Sequence, residues 1–110
     1  MRFESPTTTQ EAAALLAGES GSAHVLAGGT DLLVRMKAGM TEPDLVVDIK
    51  RIPSMQGIET SDSGCRIGAA VSGAEMNESD ALKSLWPGVV EATNLIGSDQ
   101  IQGRATMAGN

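Results

Sequence analysis

The sequence predicts an α/β fold, α+β overall: a small βαβαβ unit with a parallel sheet, then the start of a second, antiparallel unit. Three observations predict it. Residues 23–27 and 45–49 are short apolar runs separated by a helix-period segment, as parallel strands joined by a crossover are. Residues 57–60 and 65–69 flank Ser61-Asp62-Ser63-Gly64, a hairpin signal that calls for antiparallel pairing. Hydroxyl-led cap patterns at Thr8, Ser72 and Ser79 open helices in both halves. The change of pattern sets two domains, residues 1–52 and 53–110, joined by a linker around residues 50–56.

Phe3 lies in a brief extended segment closed by Pro6, because the residue before proline is pushed out of helical geometry. Thr8-Thr9-Gln10-Glu11 is a capping box, Ala12, Leu15 and Leu16 form an apolar face, and Gly18 ends the helix. A polar loop leads to the strand Ala23, Val25, Leu26, Ala27, which stops at Gly28-Gly29. Thr30 is the expected N-cap of the next helix, with Asp31 at its positive end, Leu32, Leu33 and Met36 at helical spacing, and Gly39 as the stop. The β-branched run Leu45-Val46-Val47-Asp48-Ile49 reads as a strand covered on both faces, with both helices packed on the sheet. After the hairpin come two short helices, capped by Ser72 and Ser79. A third opens at Pro87 and carries Val89, Val90, Leu95 and Ile96 to Gly97. Residues 98–110 read as an irregular loop.

Composition narrows the function. The net charge is −6 and no basic run exceeds Lys50-Arg51, so neither nucleic acid nor an anionic membrane is an expected partner. The single cysteine, Cys65, excludes an internal disulfide and an in-chain iron–sulfur or Cys-rich zinc site, and is expected to be a small buried residue. His24 is the one histidine, leaving no metal-ligand set and no Cys–His pair, so it reads as a packing or surface residue. No apolar run approaches the roughly 20 residues that span a bilayer, and the N-terminus has no signal core, which points to the cytoplasm. Phe3 and Trp86 are the only aromatics, so the core must be built from Ala, Val, Leu, Ile and Met. Glu75, Glu78 and Asp80 are explained by helix caps and a solvated face.

Two stretches carry chemistry. In the first, a strand runs into Gly28-Gly29 and then a helix start, where backbone N–H groups without internal partners can donate to an anion. The same turn serves equally as a plain connection. Neither a P-loop nor a G-x-G-x-x-G fingerprint is present. In the second, the Thr106 hydroxyl, the Gly109 N–H and the Asn110 amide are groups that bond phosphate or flavin edges. Arg104 adds charge or is a surface residue, and the whole stretch reads alternatively as a frayed tail.

Together, A-G-G-T-D-L-L at residues 27–33 and R-x-T-x-x-G-N at residues 104–110 resemble the FAD-binding medium subunit of the molybdenum hydroxylases. This is the xanthine and carbon monoxide dehydrogenase family of flavoprotein oxidoreductases. Phe3, the L-V-V-D-I strand and Ile67-Gly68-Ala69-Ala70-Val71 also have counterparts there. The resemblance implies a PCMH-type FAD-binding fold in a molybdopterin dehydrogenase. It carries FAD pyrophosphate contacts to Leu26, Ala27, Gly28, Gly29, Thr30, Asp31 and Leu32. Further FAD contacts fall to Thr106, Gly109 and Asn110, with Ile96 near the flavin, and no residue is catalytic. It further implies electron transfer through FAD to NAD or another acceptor, fed by an iron–sulfur small subunit and a molybdopterin large subunit that carry the 2Fe-2S clusters and molybdenum cofactor. The family usually has glycine where this chain has Ala108, and its subunits are much longer. The chain therefore reads as an N-terminal fragment, inactive alone and binding FAD weakly or not at all. The competing reading is a non-catalytic α/β interaction module with a purely structural glycine turn.

Overall fold

A computed structural model describes residues 1–109. Strand β1 (Arg2–Glu4) leads to helix α1 (Thr9–Gly18), whose first turn is capped by the Thr8 hydroxyl accepting from the Glu11 N–H at 3.1 Å. The Glu11 carboxylate reaches back to the Thr7 N–H at 3.3 Å, one residue before the position a standard capping box uses. Strand β2 (Ala23–Leu26), helix α2 (Leu32–Lys37) and strand β3 (Leu45–Asp48) complete the βαβαβ order. The sheet is parallel with β3 in the middle, Phe3 opposite Val46 on one side and His24 opposite Val46 on the other.

A central parallel strand is covered on both faces, and every residue of β3 is buried. Leu45 and Val47, with Ile49 beyond the strand, point to one face and join Ala12 and Ile52 in the first buried cluster. The start of β2 is stapled to β3 by Asp44, whose carboxylate accepts from the Ser22 N–H at 2.9 Å. Its end is held by the Ile49 N–H donating to the Leu26 carbonyl at 3.0 Å.

Helix α2 departs from expectation. It contributes no buried residue, and Leu33 and Val34 are 50% and 63% exposed. Only α1 packs as the sequence predicts, because α2 spans barely more than a turn and a half, leaving little face to bury. Gly39 ends it in the left-handed region (φ 74°), with the Gly39 and Met40 N–H groups returning to the carbonyls of Met36 and Arg35.

A single 3-10 turn (Pro53–Met55) leads to the hairpin of β4 (Ile58–Ser61) and β5 (Gly64–Ile67), paired antiparallel. Cys65 is exposed on β5, correcting its expected burial: it shares a strand face with the half-buried Ile67 but sits at the turn end of the two-stranded ribbon, beyond the structure that covers Ile67. Helices α3 (Gly73–Glu78), α4 (Asp80–Leu85) and α5 (Pro87–Thr93) enclose Val71, Met76, Leu82 and Val90. Ser72 and Ser79 cap α3 and α4 through their hydroxyls. Helix α5 stops at Thr93 rather than running to Gly97: the Leu95 and Ile96 N–H groups tighten onto carbonyls three residues back, and Leu95 is 86% exposed. Phe3 and Trp86 are both outside the two clusters, which hold only Ala, Val, Leu, Ile and Met.

Candidate functional site

Strand β2 ends at the buried Leu26, and the chain then turns through residues 27–31 into α2. Gly29 takes φ +79°, a conformation that L side chains rarely adopt. The expected cap at Thr30 is not formed: Asp31 occupies the N-cap position in helical geometry, and no side chain caps α2. As a result, among the described residues the N–H groups of Gly28, Gly29, Thr30, Asp31 and Leu32 meet no acceptor. Consecutive open amides at a turn form a concavity suited to an anionic oxygen.

The opposite wall is residues 104–109, preceded by a one-turn helix, α6 (Asp99–Gln102), where the sequence predicts an irregular loop. Ala105 and Thr106 are buried. The Ala105 N–H donates to the Ile101 carbonyl at 2.8 Å, and its own carbonyl accepts from the Gly73 N–H at 2.8 Å. Thr106 bridges to Ser72 in antiparallel fashion, so this wall is bolted to the start of α3 and is no frayed tail. The Thr106 hydroxyl accepts from the Gly109 N–H at 3.2 Å. Arg104 is exposed, the surface alternative of the two readings.

The walls touch at Gly28. A Cβ there would overlap the Arg104 carbonyl oxygen and lie 3.2 Å from the Ala105 Cα, so the glycine is required by backbone packing against the second motif. Between the walls lies a cleft of about 420 Å³. Leu26, Ala27, Gly29, Thr30, Asp31 and Leu32 line it from one side, Thr106, Ala108 and Gly109 from the other, and Ile96 joins them. Of the sequence-predicted residues, Gly28 is turned to Arg104 instead, and Asn110 is outside the described residues. His24 and Arg35 also reach the cleft, and Asp31 sits 3.9 Å from Arg35 in a solvated pair worth little.

Sequence reasoning missed one set of contacts. Lys50 Nζ donates to the Ala27 carbonyl at 2.9 Å and to Asp48 Oδ1 at 2.8 Å, and the same oxygen accepts from the Lys50 N–H at 2.9 Å. The available signal was a carboxylate inside an otherwise apolar strand with a lysine two residues on.

The full described cleft falls within a match to a family model: residues 1–110 fit the FAD binding domain in molybdopterin dehydrogenase. The chain belongs to that family. The carbon monoxide dehydrogenase medium chain of Hydrogenophaga pseudoflava is 36% identical over 111 residues, covering 99% of this chain and 39% of the relative. The xanthine dehydrogenase FAD-binding subunit of Escherichia coli O157:H7 is 30% identical over 109 residues, covering 98% of this chain and 37% of that subunit. Among solved structures, carbon monoxide dehydrogenase from Hydrogenophaga pseudoflava, in a form lacking the Mo-pyranopterin moiety of the molybdenum cofactor, superposes with a TM-score of 0.93. It is 34% identical and is covered over 99% of this chain and 38% of its own. The chain thus has the PCMH-type FAD-binding fold and spans under two-fifths of the length of these relatives. No helix among the described residues of this family member is long and apolar enough to cross a membrane.

Proposed function

We propose that the cleft holds the pyrophosphate of FAD. Leu26, Ala27, Gly28, Gly29, Thr30, Asp31 and Leu32 form one half of the site, with Thr106, Gly109 and Asn110 in the other half and Ile96 beside the flavin. The observation that carries this reading is the run of N–H groups at residues 28–32 that meet no acceptor among the described residues, with residues 29–32 on the wall of the cleft. The residues fit the group: phosphate oxygens supply the acceptors these donors lack, and no basic side chain is needed to hold them. When bound, FAD supplies the redox chemistry, while the chain binds and orients it. The first half of the site belongs to a unit of residues 1–52, whose buried cluster ends at Ile52, and the second to a unit of residues 53–110.

The whole protein, in this proposal, is the FAD-carrying medium subunit of a cytoplasmic molybdopterin-dependent dehydrogenase. Its partners are an iron–sulfur small subunit and a molybdopterin large subunit, with electrons leaving to NAD or another acceptor. The names of the relatives, a carbon monoxide dehydrogenase medium chain and a xanthine dehydrogenase FAD-binding subunit, support it.

The test is a 15N NMR titration of the chain with FAD, suited to weak binding. The amides of residues 28–32 are expected to shift, ADP to shift the same amides, and riboflavin, which has no phosphate, to leave them in place. Thr30→Glu puts a carboxylate among these donors and is expected to weaken FAD at least about tenfold, the loss expected for charge-assisted hydrogen bonds. FAD shifts confined to other residues, or a Thr30→Glu chain with unchanged affinity, reject the site.

A further inference from the structure

We infer that Lys50, anchored by Asp48, is a positioning residue that sets the glycine turn in its anion-accepting form; this rests on the proposed pyrophosphate site. Backbone pairing between β2 and β3 ends where the Ile49 N–H meets the Leu26 carbonyl at 3.0 Å. The next carbonyl, that of Ala27, has already left the sheet. It is caught by the Lys50 ammonium at 2.9 Å, so a side chain extends the ladder by one rung after the main chain has diverged.

The lysine is itself held. Asp48 Oδ1 binds its Nζ at 2.8 Å and its backbone N–H at 2.9 Å, and the carboxylate side chain is only 12% exposed. A buried carboxylate needs a partner charge, and an ammonium with three donors can serve that carboxylate and a carbonyl together. The pair is therefore a fixed fitting on the rigid central strand.

The consequence falls on the next peptide. The Ala27 carbonyl and the Gly28 N–H belong to one planar trans unit and point in opposite directions. Holding the carbonyl toward β3 fixes the Gly28 N–H away from it and sets the plane from which the open amides of residues 28–32 continue. Glycine at both following positions leaves the turn no stiffness of its own, so an external hold has the more to do. Lys50 thereby acts on an anion without touching it.

Lys50→Met keeps the length and apolar stem of the side chain and removes the ammonium; Lys50→Arg restores a donor and the charge. In the FAD titration, Lys50→Met is expected to raise the dissociation constant roughly tenfold, as loss of a charged hydrogen bond does. Without FAD, it is expected to displace the Gly28 to Thr30 amide resonances selectively and speed their exchange. Lys50→Arg is expected to return both readouts most of the way to wild type. Unchanged affinity and unchanged amides in Lys50→Met overturn the inference and leave the FAD site standing. A lowered melting temperature with shifts spread over the whole sheet assigns Lys50 to the fold alone and also overturns it. Wild-type amides at residues 28–32 that ignore FAD reject the site, and the inference falls with it.

Discussion

Among the described residues, the turn at residues 27–31 keeps its backbone donors open and is held from outside by β3, whereas residues 104–109 are tied down: Arg104 and Ala105 donate to the Ile101 carbonyl, Gly109 donates to the Thr106 hydroxyl, and the Ala105 carbonyl accepts from Gly73 at the start of α3. One wall of the cleft is an unsatisfied loop on a rigid strand. The other is a loop tied at one end to a short helix and along its length to α3. The difference separates two tasks that a single glycine-rich motif would have to combine: offering hydrogen bonds to a ligand, and fixing the width of the space it enters.

The comparison breaks most severely at Gly28, where the walls meet. Gly28→Val drives a side chain into the Arg104 backbone, and we expect a loss of about 3 kcal/mol in denaturant unfolding, with exchange protection falling at residues 105 and 106 as well as in the turn. A variant as stable as wild type shows that the walls are independent. Ser72→Ala removes the cap of α3 at the bridge to Thr106 and is expected to lower stability by ~1 kcal/mol. Its exchange signature should be loss of protection at Gly73 and in the second wall, with the glycine turn unmoved; an effect on both walls alike contradicts the separation. The smallest effect is expected at Val34→Ala, because Val34 is 63% exposed on a helix that buries nothing: less than about 0.5 kcal/mol. A larger loss there means that α2 supports the turn after all.

The same contrast explains what the sequence disclosed. The first wall was legible because its determinants are local: an apolar strand, two glycines and a helix start within a dozen residues. So were the hydroxyl caps at Thr8, Ser72 and Ser79, which act over three residues. The position of β3 between β1 and β2 agrees with its unbroken apolar character, although the strand order itself has no local signature. The second wall was open to two readings because its order comes from Gly73 and Ser72, some thirty residues away. Distance along the chain likewise hid the Lys50 contact to Ala27 and the packing of Gly28 on Arg104. The errors at α2 and Cys65 have another origin: apolar periodicity reports which face can be buried, and neither a short helix nor a two-stranded ribbon has enough covering structure to bury it.

The fit of Gly28 against Arg104 also sets an order of events at the ribosome. The glycine turn emerges early, with β3 and Lys50 close behind it, and the parallel sheet can close once β3 has cleared the exit. The backbone that Gly28 packs against arrives only after the hairpin, α3, α4 and α5 have been made. Until then the nascent cleft has a single wall, and it acquires its width only when residues 104–109 fold back onto the glycine turn.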